Sequence, residues 1–153
     1  VTTGLIRYND LEIAKKHREI VQSILPPGAR AVDLRRQIPG FRNNRVTKDF
    51  KAGTYMMPVG SRTVTTYSST HDIERTTLLV IAEGVTTGQF TDLPDSMKTI
   101  ERLRNLFASR RIMNIPGELY SNHSEPKYDV DDDADRRFEM LFILLTTTTR
   151  EAR

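Results

Sequence analysis

Apolar side chains recur at Ile13, Ile20, Val21 and Ile24, with His17 on the same face. That is helical spacing, and it predicts an amphipathic helix beginning near Asp10. Asn9 or Asp10 can cap it, and Glu12 sits in the first turn, where the helix dipole favours an anion. Pro26-Pro27-Gly28 stop it. A second helix follows Leu93-Pro94-Asp95-Ser96, with Met97, Ile100, Leu103, Leu106 and Phe107 on one side. Lys98, Glu101, Arg102 and Arg104 occupy the other side.

The strands have a different rhythm. Thr54 to Met57 and Thr63 to Tyr67 read as strands, with Pro58 and Gly60 between them. Pro58 cannot donate to a ladder, so that point is an edge, a bend or a bulge. After the polar turn Ser68 to Asp72, Glu74 to Val85 returns as the second arm of a hairpin. Its unbroken run Leu78 to Ala82 predicts a strand covered on both faces. Short strands are expected around Leu119-Tyr120 and Tyr128, with a turn at Pro116-Gly117 before them. The longest run, Arg136 to Thr149, has no Gly or Pro, ends in four threonines and predicts a last strand that organises the sheet. The expected fold class is α+β: an antiparallel (mixed) sheet with two amphipathic helices packed on one face, in a single domain over residues 1–153.

Residues 28–53 read as a long connection rich in Arg, Asn and Gly, with isolated apolar anchors at Val32, Leu34, Ile38 and Phe41. A connection of that length inside one domain is often functional or ordered by a partner. Hydrophobic residues make up 37% of the chain and aromatics 7%, which predicts a lean core that completes its burial in an oligomer. The chain has no cysteine, which removes disulfides, thiolate metal sites and a Cys nucleophile. No basic segment leading into an apolar core opens the chain, so no signal peptide is expected. No apolar stretch approaches the about 20 residues of a membrane span, and a soluble, cytoplasmically made protein is expected.

The net charge of +3 is too small to name a partner, but its distribution is uneven. Arg30, Arg35, Arg36, Arg42, Arg45, Lys48 and Lys51 crowd one stretch, and Asp129, Asp131, Asp132, Asp133 and Asp135 form an acidic knot. Two solvated loops would account for this. So would a dipolar surface on which copies of the chain dock head to tail.

Catalytic chemistry finds little support. Asp131-x-Asp133-x-Asp135 has the opening spacing of an EF-hand loop, which also needs Gly at position six and Glu at position twelve. Those positions hold Arg136 and Phe142, or Ala134 and Met140 counting from Asp129, so no metal site is assigned. Glu125-Pro126-Lys127 has the Glu-x-Lys spacing of a metal-dependent nuclease, but Pro126 argues against the central strand such a motif requires. His17 belongs to an apolar helix face, His71 to a turn and His123 to a loop. No Gly-x-Ser-x-Gly elbow and no phosphate-binding glycine loop is present. No catalytic residue and no cofactor is assigned. The Arg-rich segment 30–51 leaves a nucleic-acid-binding module as the first alternative, with steep salt dependence as its signature, and a metal-dependent nuclease built on Glu125 and Lys127 as the second.

The order of elements, carried by Leu11–Leu25, Thr63–Val85, Met97–Phe107 and Phe138–Thr149, resembles the tail-terminator and neck-completion proteins of long-tailed bacteriophages. The resemblance spans residues 9–149 and rests on element order and hydrophobic pattern. It implies a structural virion protein, a small α+β subunit of a homo-oligomeric ring, commonly a hexamer. Such a ring caps the tail tube and joins it to the head connector. It implies assembly in the host cytoplasm, passing contact with DNA, and sheets lining the lumen with helices outside. Arg35, Arg36, Arg42 and Arg45 are then expected to contact an adjacent subunit or the tube. Asp131, Asp132 and Asp133 are their expected partners or lumen-facing groups. A loop as long as 28–53 departs from a minimal member and leaves another neck or tail component open.

Overall fold

The computed structural model describes residues 6–34, 41–42, 45–46, 52–84, 95–109, 111–133 and 136–153. Helix α1 spans Asp10–Ile24 and opens with a capping box: the Asn9 side chain accepts from the Glu12 N–H, and the Glu12 carboxylate reaches back to the Asn9 N–H. Helix α2 spans Asp95–Phe107. The main sheet holds β1 (Ala31–Asp33), β4 (Gly53–Thr66), β5 (Thr70–Gly84), β6 (Glu118–His123), β7 (Lys127–Asp133) and β8 (Arg136–Ala152). A separate hairpin pairs β2 (Phe41–Arg42) with β3 (Arg45–Val46).

The sheet order is β1-β4-β5-β8-β6, with β7 also on β8. Every pairing is antiparallel except β1 with β4, which makes the sheet mixed. The spine is β5 against β8, in unbroken register from Thr70↔Ala152 to Gly84↔Phe138. On the far side of β8, β6 and β7 lie end to end, as β6 pairs with residues 145–149 and β7 with 136–142. They are joined through Ser124, whose N–H donates to the Leu144 carbonyl (2.8 Å) and whose Oγ accepts from the Leu144 N–H (2.9 Å).

Register fixes which side chains share a face, because alternate residues of a strand point to opposite sides. Leu79 and Ile81 on β5 and Leu141, Ile143 and Leu145 on β8 face the helices, where they join Val21, Ile100, Leu103 and Phe107 in the main core. Val80, Ala82 and Met140 face the other way and form a second cluster with Leu34 and Tyr55. Both helices therefore cover one face, and the run Leu78–Ala82 is packed on both sides.

Several sequence expectations need correction. The two strands expected on either side of Pro58 are one strand, β4, with register shifts at Pro58/Gly60 and Thr63/Thr65. Antiparallel pairing to β5 continues past each irregularity, so Pro58 marks a bulge on a strand whose outer edge beyond Met56 has no ladder partner among the described residues. The 28–53 connection is not wholly irregular, since it holds β1, β2 and β3. Val32 is one of three residues in β1, too short a run to show a period. His71 lies in β5 just past the turn, and His123 ends β6.

Candidate functional site

The helix-facing side of β5 and β8 changes character along its length. Past Leu79 and Leu145 the same alternating positions become Thr77 and Arg75 on β5, and Thr147, Thr149 and Glu151 on β8. All five are buried. Burying polar groups is costly unless each finds a partner, and here they find one another. His17 of α1 is fully buried between the two strands: Nδ1 lies 2.6 Å from Thr77 Oγ1 and Nε2 lies 2.7 Å from Thr147 Oγ1. Thr147 Oγ1 lies 2.8 Å from Ser121 Oγ, which donates to Glu118 Oε2 at 2.7 Å. The Glu118 carboxylate also accepts from the Met113 and Asn114 N–H groups, both at 3.2 Å.

Two turns toward the start of α1, Arg75 is held between carboxylates. Its Nε donates to Asp10 Oδ1 at 2.9 Å, its Nη1 to Glu151 Oε2, and its Nη2 to the Tyr8 carbonyl at 2.6 Å. Glu151 accepts in turn from Thr149 Oγ1 (2.6 Å) and the Tyr8 N–H (2.7 Å). Burial by itself would raise the Glu151 pKa. Hydrogen bonds from Arg75, Thr149 and Tyr8, with the Arg75 charge, hold it below the ordinary carboxylate value. For His17, burial alone pushes the pKa down to about 4, so the ring is neutral at physiological pH. The arrangement is enclosed, and its polar groups bond one another.

Among the described residues no helix covers the opposite face of the sheet. Met57, Leu78 and Leu144 stand in one cross-strand row, with Phe142 beside them, and Leu144 is 41% exposed. Toward the hairpin tip this face becomes polar. Arg62 Nε pairs with Glu74 Oε1 at 2.9 Å, and Arg150 Nε with Asp72 Oδ1 at 2.9 Å, while the Arg150 guanidinium stacks 4.7 Å from the Tyr67 ring centre. Tyr67 and Tyr120 are exposed. Thr148, also on this face, is buried with its hydroxyl unpartnered among the described residues. Between α1 and the outer edge of the sheet lies a cleft of about 280 Å³, bordered by Leu11, Lys15, Arg18, Asp33, Met57 and Pro58.

Arg35 and Arg36 lie outside the described residues. Arg42 and Arg45 occupy paired positions of the β2–β3 hairpin. Asp131, Asp132 and Asp133 lie on β7, opposite Phe138, Arg137 and Arg136 of β8. The fold brings β3 close to β7 within one subunit, so the hairpin bearing Arg42 and Arg45 and the strand bearing the acidic knot are intramolecular neighbours. Glu125 is exposed at the β6–β7 junction and pairs with Arg104 at 3.3 Å. No three His, Asp or Glu side chains among the described residues converge as metal ligands. Among those residues no helix is long and apolar enough to cross a membrane. His17 is core, as its helix face predicts, but its bonding partners were invisible in sequence. Arg75, Glu118, Ser121 and Glu151 carry no local motif. The only signal for them is polar residues at alternate positions where the strand period calls for apolar ones.

No known family model matches the chain, and no curated protein matches it.

Proposed function

We propose that the chain is a structural, ring-forming subunit of the tail-terminator or neck type, working without catalysis. The observation that carries this reading is the one-sided layering. The sheet of β4, β5, β8 and β6 is covered by both helices on one face, and on the other it exposes Leu144 of β8, Tyr120 of β6 and, at the β4–β5 turn, Tyr67. Apolar and aromatic side chains left on a sheet face mark a surface that meets another macromolecule. The second support is that the polar groups buried beneath α1 are bonded to one another, which favours a rigid part over a site that handles substrate. In this reading copies of the chain close into a ring, a hexamer in the resembling family. The ring meets a tail tube protein on one side and head-connector proteins on the other, and the mature protein resides in the virion.

The test is the mass of the purified protein by light scattering, with negative-stain images of the same sample. A closed ring is the expected result. A strict monomer at all concentrations, alone and with tube protein, overturns the reading. Within a ring, reversing the charge of Arg35 and Arg36 is expected to weaken assembly and leave the subunit folded by circular dichroism. Unchanged assembly removes those two residues from the interface.

A further inference from the structure

The buried hydroxyl chain has a direction. Ser121 has one hydroxyl proton, and its 2.7 Å bond to the Glu118 carboxylate uses it. The one Thr147 proton is then directed to Ser121 Oγ at 2.8 Å or to Met113 Sδ at 2.9 Å. With that proton committed, Thr147 can only accept from His17, so Nε2 carries the ring proton and Nδ1 accepts from Thr77. The Glu118 carboxylate, three hydrogen bonds away, and the Met113 sulfur therefore set the tautomer of the histidine that seats α1 on the polar half of the sheet.

Acid disturbs this order at one atom. A second proton on Nδ1 forces Thr77 to turn its hydroxyl away and accept, and it places a charge in a site with no solvent. The charged groups around that site are already committed. On β5, Arg75 is bonded to Asp10 of α1 and to Glu151 of β8. On β6, Glu118 holds the Met113 and Asn114 N–H groups and Ser121. Glu12 of α1 is spent on the cap. Toward the other end of α1 the helix face is apolar, with Val21 in the main core.

We propose that His17 and its Thr77–Thr147–Ser121–Glu118 cage form an acid-sensitive latch, which releases the first half of α1 from the sheet before the sheet itself opens. The physical basis is the division of the helix contact. In its first half α1 is bonded to the polar groups through His17 and Asp10, while Ile20, Val21 and Ile24 pack on the apolar core, which does not titrate. The ring's pKa, pushed down to about 4 by burial, places the event in mildly acid solution. Above the free-histidine value of 6.5 the latch is whole, and it weakens as pH falls from there toward 4.

The experiment is residue-resolved amide exchange between pH 7 and 4, corrected for intrinsic rates, alongside an NMR titration of the His17 ring. At pH 7 the ring is expected as the Nε2–H tautomer. On acidification, amides of residues 13–17 are expected to lose at least tenfold in protection before those of 79–81 and 141–145 change. That loss should set in below pH 6.5 and level off where the His17 ring itself titrates. In His17→Gln, which cannot take up the proton, α1 and the sheet are expected to open together. Should that variant fail to fold, the wild-type titration decides alone. Simultaneous loss in helix and sheet, or helix opening that does not follow the His17 titration, overturns the latch. The Nδ1–H tautomer overturns the directional cage.

Discussion

Strands β5 and β8 run side by side through two different interiors. At one end Leu79, Ile81, Ile143 and Leu145 meet Val21 and Leu103, and water is excluded by hydrocarbon alone. At the other end Arg75, Thr77, Thr147, Thr149 and Glu151 occupy the same face of the same strands and are as deeply buried. The first half needs only shape and volume. The second needs every donor to find its acceptor, so it is less tolerant of change but fixes α1 and the Tyr8 segment in one position. This explains the 37% apolar composition in a way that sequence did not suggest. Where the apolar side chains give out, the buried face continues in polar ones.

The largest expected effect breaks the polar half at its charge. Glu151→Ala leaves the buried Arg75 with the half-exposed Asp10 as its one remaining carboxylate among the described residues, and a cost of about 3–5 kcal/mol in urea unfolding is expected. Replacing Arg75 and Glu151 together with Met and Leu should recover much of that loss, because the pair's desolvation is then never incurred. The pair also sets an acid limit. The Glu151 pKa is held below its ordinary value, so its contribution is complete at neutral pH and above 4.5. It is lost as pH falls through the lowered value. In Leu79→Ala, by contrast, the expected loss is about 2–5 kcal/mol from transfer and cavity, with no new pH dependence. If Leu79→Ala steepened the acid limb as Glu151→Ala flattens it, the two halves would not be the independent regions described here.

How far the chain could be read in advance follows the same division. The apolar half announces itself: α1 and α2 by 3.6-residue repeats, β5 by its unbroken apolar run, and β8 by a β-favouring run without Gly or Pro. The order of elements gave the α+β class and the placement of both helices on one face. The polar half has the same geometry but no such signature. Thr146 to Thr149 read as an extended polar end, yet Thr147 and Thr149 point under α1 and are fully buried. Arg75 and Glu151 lie 76 residues apart, and nothing local joins them. β1 was missed because three residues in a parallel pair show no alternation. Gly117 shows the limit at a single residue. With φ of +80° and room for no Cβ, which would come within 2.5 Å of the Arg150 carbonyl, it fixes the turn into β6, although Pro116-Gly117 reads only as a generic turn.

A smaller change probes the hydroxyl cage without touching a charge. Thr147→Val keeps shape but leaves His17 Nε2 and Ser121 without their shared partner, and about 1–3 kcal/mol should be lost. The smallest effect belongs to its neighbour. Thr148 faces the other side of the sheet, and its buried hydroxyl bonds nothing among the described residues. Thr148→Val removes a desolvated polar atom and adds a methyl of the same shape. No loss is expected, and a gain of up to about 1 kcal/mol is the favoured direction. Two adjacent residues of identical type, substituted identically, should therefore differ in sign. A loss at Thr148 equal to that at Thr147 would mean its hydroxyl has a partner after all, and the open face would be less bare at the threonine end of β8 than its neighbours Tyr120 and Glu74 leave it.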